Sequence, residues 1–264
     1  MVSLSRPASL FDRNRRAMEA VHVSEMSETR LGLRPGDLVE VLSESEIRAT
    51  LDETGALEAL PFMPEMLAYC GKRARVFKRT EKIWDMTGGT GLRRLRDTVL
   101  LEGLRCNGGF HNGCQAGCYL LWKEAWLRRL DPSVAPTPSF DAEPVTIASS
   151  ALHQLVTRRD DDKGPRYVCQ ATELSKTATL MQQGDPRHYL RELFVGNVGP
   201  LRFLEGVAIA LFNWIQRLRG GAGYPALTPT AVKPTPHEVL NLQPGEFVVV
   251  RTKREIEATL DDHR

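Results

Sequence analysis

An internal repeat constrains the fold of this chain more than any other feature of its sequence. Residues 33–52 and residues 242–261 match at 11 of 20 positions, with a constant offset of 209 residues. Each copy reads Pro-Gly-[Asp/Glu]-x-Val-x-Val and then Glu-Ile-x-Ala-Thr-Leu-Asp. A Pro-Gly turn before alternating apolar residues predicts a β-strand. The second half predicts a short helix, with Ser43 or Ser45 near its N-cap in the first copy.

The repeat and the segments between its copies predict an α+β fold. A small SH3-like β-barrel element is expected at each end, flanking a helical central region. Strands at 73–78 and 97–104 would complete the first barrel, and helices are expected at 114–130, 146–158 and 201–218 and from Asp185 onwards, with 201–218 as the main core helix. The predicted domains are a mobile arm at 1–30, a barrel at 31–105, a cysteine-rich region at 106–220, a linker at 221–241 and the second barrel unit at 242–264.

The composition is that of an ordinary globular protein. The 264 residues are 42% hydrophobic and 26% charged, with a formal net charge of +2. That charge argues against a strongly polyanionic partner as the main theme. No apolar run approaches the roughly 20 residues of a membrane span, and the N-terminus lacks a secretory pattern. We therefore predict a cytoplasmic protein, in which five cysteines indicate metal binding or catalysis before disulfides.

Residues 106–118 contain three of the five cysteines and one of the six histidines, namely Cys106, His111, Cys114 and Cys118. Helical spacing from about Asn112 predicts that Cys114 lies in the first turn of a helix, where the dipole lowers the pKa of a thiol. Cys114 or Cys118 would then act as a nucleophile. The candidate helpers are His111 as base, Glu173 as the carboxylate that orients it and Gln115 as an oxyanion donor, with His153, His188 and His237 as other possible bases.

Metal binding is the alternative interpretation of the same cysteines. Four thiols suffice for a tetrahedral zinc ion, and Cys70, Cys106, Cys118 and Cys169 would be its ligands if Cys114 is the nucleophile. An iron–sulfur cluster, plain buried thiols and an interaction protein built from two SH3-like modules also stay open.

A basic run at residues 72–82, followed by Arg93, Arg94 and Arg96, is interpreted first as a solvated face of the barrel. The alternative interpretation is a surface that attracts an acidic protein or a phosphate. Nucleic acid is the runner-up partner for this surface, and no interleaved aromatic residues beyond Phe77 and Trp84 favour it.

Four segments of the chain resemble a known family. They are Met66-Leu-Ala-Tyr-Cys-Gly-Lys-Arg, Leu101-Glu-Gly-Leu-Arg-Cys, the stretch from His111 to Leu127, and Cys169-Gln-Ala-Thr-Glu-Leu. Together they resemble bacterial proteins of natural-product and polysaccharide gene clusters, a family taken to include lincosamide condensation enzymes. The resemblance covers most of residues 33–200. It implies an amide-forming acyltransferase without a cofactor, similar to cysteine peptidases. Such an enzyme would move an aminoacyl group from a carrier-protein thioester to an amino-sugar or other small amine in antibiotic biosynthesis.

Overall fold

This computed structural model describes residues 31–85, 91–131, 157–160, 164–182, 185–225 and 240–260, which contain both strands and helices. The strands are β1 Leu38–Val41, β2 Ala56–Leu57, β3 Leu60–Pro61, β4 Arg73–Arg79, β5 Ile83–Asp85, β6 Gly91–Arg94, β7 Thr98–Arg105, β8 Tyr119–Lys123, β9 Leu127–Arg129, β10 Thr157–Asp160, β11 Gly164–Tyr167 and β12 Thr179–Leu180. The α-helices are α1 Glu44–Arg48, α2 Leu174–Thr177, α3 Arg187–Phe194, α4 Pro200–Arg219 and α5 Lys253–Glu257. Short 3-10 helices span Pro64–Tyr69 and Glu124–Trp126.

A curled antiparallel sheet, here called the half-barrel, organises residues 31–131. Its strand order is β8-β7-β4-β1-β9, so that β1 pairs with β4 on one side and with β9 on the other. The fold is α+β, as predicted. Because β8 and β9 belong to this sheet, the predicted domain boundary at residue 105 falls inside it.

The first repeat copy forms the strand and the helix that its pattern predicts. Gly36 turns the chain into β1 with a φ of 91°. Ser43 then caps α1 in a capping box with Glu46. This box provides hydrogen-bond acceptors for backbone N–H groups at the start of α1. These bonds help to stabilise a helix of only five residues.

Aromatic side chains belong to the hydrophobic core that includes strands of the half-barrel. Trp122 and Trp126 are fully buried, and Phe62 packs edge-on against both at ring-centroid distances of 6.4 and 5.3 Å. Edge-to-face pairs of this kind contribute about 1 kcal/mol each beyond their buried area. The core therefore joins the segment before the first 3-10 helix to β8.

The helix predicted at 114–130 is wrong, because β8, a 3-10 helix and β9 cover residues 119–129. β8 pairs with β7, where Leu121 lies opposite Leu100. Trp122 and Trp126 are four residues apart and enter the same core, because residues i and i+4 of an extended chain also lie on one face. A helix also places residues four apart on one face, which is why the spacing misled.

Three arginines of the basic region are engaged in ion pairs with buried carboxylates instead of facing a partner. They are Arg79 with Glu124, Arg93 with Asp85 at 2.8 Å, and Arg94 with Glu81 at 2.6 Å. The outward positions of β4 keep the exposed residues Arg73, Arg75 and Lys78.

Residues 200–264 form a second compact unit, distinct from residues 1–199. The helix expected at 201–218 is present as α4, but none of its side chains is buried, so its predicted role as a core helix is wrong. In the second repeat copy α5 forms, whereas Phe247–Val250 joins no strand ladder among the described residues.

The remaining predictions have mixed outcomes. The helix expected from Asp185 is α3, and the Asp185 carboxylate accepts a hydrogen bond from the Arg187 N–H at 2.9 Å. Three predicted segments lie wholly or mostly outside the described residues: the arm at 1–30, the helix at 146–158 and linker residues 226–239. Residues 157–160, at the end of that predicted helix, form β10 instead.

Within the described ranges, no helix has both the length and the hydropathy needed to cross a membrane.

Candidate metal centre

The segment between β7 and β8, residues 106–118, is a closed loop, here called the cysteine loop. The Cys106 N–H donates to the Cys118 carbonyl at 2.8 Å and joins the two ends. Inside the loop, the N–H groups of His111 and Gly113 both donate to the Gly108 carbonyl, at 3.0 and 3.1 Å. These bonds fold His111 back beside Cys106.

Gly108 is the residue that this folding requires. Its φ is +72°, and a Cβ atom at this position would lie 1.9 Å from the carbonyl oxygen of Cys114. No side chain fits there without moving the backbone. Gly113 has the same φ, but an added Cβ would meet nothing within 4 Å.

We expect Gly108→Ala to destabilise the protein clearly more than Gly113→Ala. The conformational cost of a left-handed alanine, about 1–2 kcal/mol, applies to both variants. The clash with Cys114 applies to Gly108→Ala alone. Thermal unfolding of both variants in the presence of a chelator measures the difference. Equal losses would contradict the close approach.

Glu65 reaches the cysteine loop from the first 3-10 helix. It lies between Pro64, which begins that helix, and Met66, which is fully buried. The Glu65 residue is only 4% exposed. Among the described residues, the only charged partner within salt-bridge distance of its carboxylate is His111, which carries a charge only when protonated. A buried carboxylate without a permanent cation is costly unless a proton or a bound cation neutralises it.

Glu65, Cys106 and His111 direct one atom each to a common point. The Cys106 Sγ atom donates to Glu65 Oε1 at 3.0 Å and lies 3.8 Å from His111 Nδ1. His111 Nδ1 lies 3.6 Å from the same Glu65 oxygen. The three atoms therefore form a closed triangle of possible metal ligands.

The size of this triangle fits a tetrahedral zinc ion. Zinc binds sulfur at about 2.3 Å and nitrogen or oxygen at about 2.0–2.2 Å, which puts tetrahedral ligand atoms roughly 3.4–3.6 Å apart. The observed distances of 3.0, 3.6 and 3.8 Å lie around that range. A thiolate, an imidazole and a carboxylate are also the donor types that zinc accepts.

Two polar atoms of the cluster are buried without a hydrogen-bond partner among the described residues. They are Glu65 Oε2 and His111 Nε2. A catalytic relay would have the two ring nitrogens contact different groups, one the thiol and the other the carboxylate. Here Nδ1 faces both groups, so the arrangement is that of a chelate and not that of a relay.

The surroundings of three thiols, those of Cys70, Cys106 and Cys118, disfavour the thiolate form. Burial raises the pKa of the Cys106 thiol to about 12, and the adjacent Glu65 adds to this shift. Burial likewise raises the pKa of Cys70 to about 11. Partial desolvation raises the pKa of Cys118, with further contributions from Cys169 and Cys114. Cys106 therefore keeps its proton at neutral pH unless a metal ion replaces it.

We expect Cys106 in chelator-treated, folded protein to react with iodoacetamide on the order of 100-fold more slowly than in the unfolded chain at pH 8. The raised pKa and the partial burial both reduce the reactive thiolate. Peptide mass spectrometry after timed alkylation measures the rate, with the exposed Cys114 as internal comparison. Equal rates for Cys106 in the folded and unfolded chains would contradict the pKa shift.

The structure separates most of the residues predicted for catalysis. Cys114 and Gln115 are exposed in the cysteine loop. No helix begins there, so the predicted thiolate at a helix N-terminus and the helix N–H groups of the oxyanion site are wrong. Glu173 forms an ion pair with Lys176 and occupies the N-cap position of α2.

The other candidates are also dispersed. His188 is buried in α3, whereas His153 and His237 lie outside the described residues. Of the four predicted zinc ligands, Cys106 alone belongs to the described cluster that includes Glu65 and His111. The Cys118 and Cys169 thiols are near enough to each other to influence the pKa of Cys118.

Comparisons with protein-family models, curated proteins and solved structures find no match for this chain. The site itself is therefore the basis for a function.

Sequence reasoning missed Glu65, although one signal pointed to it. Glu65 is the only charged residue in the apolar stretch Leu60-Pro-Phe-Met-Pro-Glu-Met-Leu67, where a carboxylate is costly without a partner.

Proposed function

We propose that this chain is a zinc-binding protein in which Glu65, Cys106 and His111 hold the ion. The observation that carries the proposal is the closed triangle of their ligand atoms, with sides of 3.0, 3.6 and 3.8 Å in a buried setting. The bound ion supplies the positive charge that the buried Glu65 carboxylate lacks. It also links the first 3-10 helix to the cysteine loop.

Zinc fits the cluster better than an iron–sulfur centre does. Iron–sulfur clusters are held mainly by several cysteine thiolates, and this triangle contains one. Three protein ligands leave a tetrahedral zinc one further position, which a water, a substrate or a fourth side chain takes in zinc proteins. The Cys118 carbonyl accepts a hydrogen bond from the Cys106 N–H. The thiol of Cys118 is near enough to the Cys106 thiol to contribute to the raised pKa of Cys106. Cys118 is thus the first residue to test as a fourth ligand.

Metal analysis of the purified full-length chain tests the proposal. We expect one equivalent of zinc per chain after dialysis, and an absorption band from sulfur-to-metal charge transfer when cobalt(II) replaces zinc. Protein that retains no metal and binds no cobalt would refute the site. A brown protein that contains iron would instead favour the iron–sulfur alternative.

An acidic protein is the partner that we propose for the half-barrel. Arg73, Arg75 and Lys78 are exposed on β4. Between them, Phe77 is 38% exposed and stacks on Tyr119 at a centroid distance of 5.5 Å. Clustered positive charge beside an aromatic surface favours binding of acidic groups. We also propose that the half-barrel is SH3-like and acts as a binding module, which carries the cysteine loop between β7 and β8.

Amide-bond formation stays a second candidate function, because Cys114 and Cys118 are exposed and accessible to a thioester. The helix that was expected to ionise Cys114 is absent, so the cysteine-peptidase-like core stays a prediction without that support. Incubation with an aminoacyl thioester, followed by mass spectrometry of both cysteines, tests for an acyl adduct. Absence of an adduct and of amide product would exclude this candidate.

A further inference from the structure

The longest helix, α4, is amphipathic, and its apolar side is exposed. No charged residue lies between Glu205 and Arg217, and none of the helix side chains is buried. Seven large apolar side chains are exposed, with exposed fractions from 45% for Phe212 to 81% for Leu201, and the others are Leu204, Val207, Leu211, Trp214 and Leu218. A continuous exposed apolar surface of this kind marks a binding surface.

The apolar side of α4 is also wide. At about 100° per residue, all its apolar residues except Ile209 fall within an arc of roughly 200° around the helix axis, with Leu211 at the centre. A seam between two helices uses only about two of every seven residues and is much narrower. A helix that lies in a membrane interface buries its whole apolar face among headgroups and acyl chains. The width of the arc therefore favours a lipid surface over a single second helix.

The opposite, polar side of α4 is contacted by the chain that follows the helix. Gly220 turns that chain with a φ of 69°, and the Gly221 N–H donates to the Gln216 carbonyl at 2.9 Å. The Asn213 side-chain amide then donates to the Tyr224 carbonyl at 2.8 Å and accepts from the Tyr224 N–H at 2.6 Å. These bonds hold the returning segment beside the polar side, so the apolar side is the one left for a partner.

The charges of α4 are complementary to an anionic surface. The helix contains three arginines and one glutamate, which gives a net charge of three minus one, or +2. Arg202 pairs with Glu205 at 2.9 Å, so the excess positive charge lies at the C-terminal end. There Arg217 lies just outside one border of the apolar arc, and Arg219 lies just inside the other. Long basic side chains at such borders cover apolar surface with their stems while their charged groups reach lipid phosphates.

We propose that α4 binds the surface of a membrane that contains anionic phospholipids. The apolar side of the helix enters the boundary between headgroups and acyl chains, with Leu211 deepest. Arg217 and Arg219 contact lipid phosphates, and the polar side with its returning segment faces water. Trp214, one turn before Arg217, is a residue type enriched at this boundary. The proposal depends on neither the zinc site nor the basic surface of β4.

Flotation of the full-length chain with vesicles tests the proposal. We expect the natural chain to bind vesicles of phosphatidylcholine that contain phosphatidylglycerol. Leu211→Glu should bind them about tenfold more weakly or worse, because the burial of a leucine is lost. Gln216→Glu is the matched control. It adds the same charge on the polar side, and we expect it to bind nearly as well as the natural chain.

The paired variant Arg217→Gln with Arg219→Gln tests the contribution of the anionic lipid. Each basic residue near an anionic surface strengthens binding about fivefold, so we expect roughly 20-fold weaker binding to the phosphatidylglycerol vesicles. On vesicles of phosphatidylcholine alone, the variant and the natural chain should bind alike. Equal binding of both proteins to the phosphatidylglycerol vesicles would contradict the assignment of an anionic lipid.

Bromine-labelled acyl chains identify the part of the chain that enters the lipid. Bromine quenches a tryptophan that reaches the acyl chains, and we expect such quenching for the natural chain. Trp214→Phe keeps an aromatic ring, so it should still float with the vesicles but lose the quenching. Quenching that persists in Trp214→Phe would place another tryptophan at the lipid, such as the exposed Trp84, and would overturn the assignment to α4.

Four further results would also overturn the proposal. The first is a natural chain that does not float with the phosphatidylglycerol vesicles, and the second is equal flotation of Leu211→Glu and the natural chain. The third is a dimer that Leu211→Glu dissociates in analytical ultracentrifugation, because a second copy would then cover the apolar side. The fourth is a Leu211→Glu variant that unfolds well below Gln216→Glu without vesicles, because the chain itself would then cover it. None of these results bears on zinc content, so they leave the proposed metal site untouched.

Discussion

Replacing Cys106 with serine is expected to abolish stoichiometric zinc binding and to remove about 3–4 kcal/mol of stability measured with zinc present. A ligand that binds only the folded state at 1,000 times its dissociation constant stabilises that state by about 4 kcal/mol. A serine hydroxyl is a poor zinc ligand at neutral pH, because the thiolate is the form that binds metal. Metal analysis and denaturant unfolding at fixed free zinc measure both effects.

Matched variants separate metal binding from packing. Cys114→Ser changes an exposed thiol of the same loop and should leave zinc content and stability unchanged. Glu65→Gln keeps the shape of the side chain and an oxygen that accepts from the Cys106 thiol, but it removes the negative charge. We expect this variant to lose zinc affinity at least tenfold while its stability in chelator stays near that of the natural chain. Full zinc content in Cys106→Ser would refute the ligand assignment.

The second large effect is expected from Glu124→Ala. Glu124 begins the second 3-10 helix, and its side chain is 2% exposed. It forms an ion pair with Arg79 and accepts hydrogen bonds from the N–H groups of Gly32 and Leu33, both at 3.0 Å. Arg79 in turn donates to the Leu33 carbonyl at 2.8 Å. This network fixes the chain where it enters the turn before β1.

Removing the carboxylate leaves the Arg79 guanidinium, which is only 11% exposed, without its closest anionic partner. Loss of one member of a buried ion pair typically costs about 3–5 kcal/mol, and we expect this magnitude for Glu124→Ala. Glu124→Gln retains an acceptor oxygen without the charge and should lose clearly less. Urea unfolding followed by tryptophan fluorescence measures this loss, because Trp122 and Trp126 are buried in the folded state and become exposed on unfolding. A loss below 1 kcal/mol in Glu124→Ala would show that the network is not needed.

Local features of the sequence predicted the corresponding local structure well. The Pro-Gly turn, the alternating strand and the capped helix of the first repeat copy all form where the pattern placed them. α3 begins next to Asp185 and Pro186, as expected. In each of these cases the determining contacts lie within a few residues along the chain, so the sequence alone contains the necessary information.

The helix predicted at 114–130 fails for a reason that no local pattern reveals. Trp122 and Trp126 show helical spacing, but β7 and β1 pair with the two strands on either side of Glu124–Trp126. Hydrogen bonds to distant strands outweighed the local preference. Because no helix forms at residues 114–118, Cys114 does not lie in the first turn of a helix as the sequence predicts.

The sequence by itself determined the composition of the cysteine loop, the repeat and its capping boxes, because these depend on neighbouring residues. The tertiary structure alone decided which side chains meet at the candidate metal centre. Glu65 and Cys106 are separated by 41 residues, and only the curled sheet brings the 3-10 helix before β4 against the end of β7. The tertiary structure likewise decided which of the two repeat copies forms a paired strand. The same turn and helix form in both, but a strand needs partners, and within the described residues only the first copy has them.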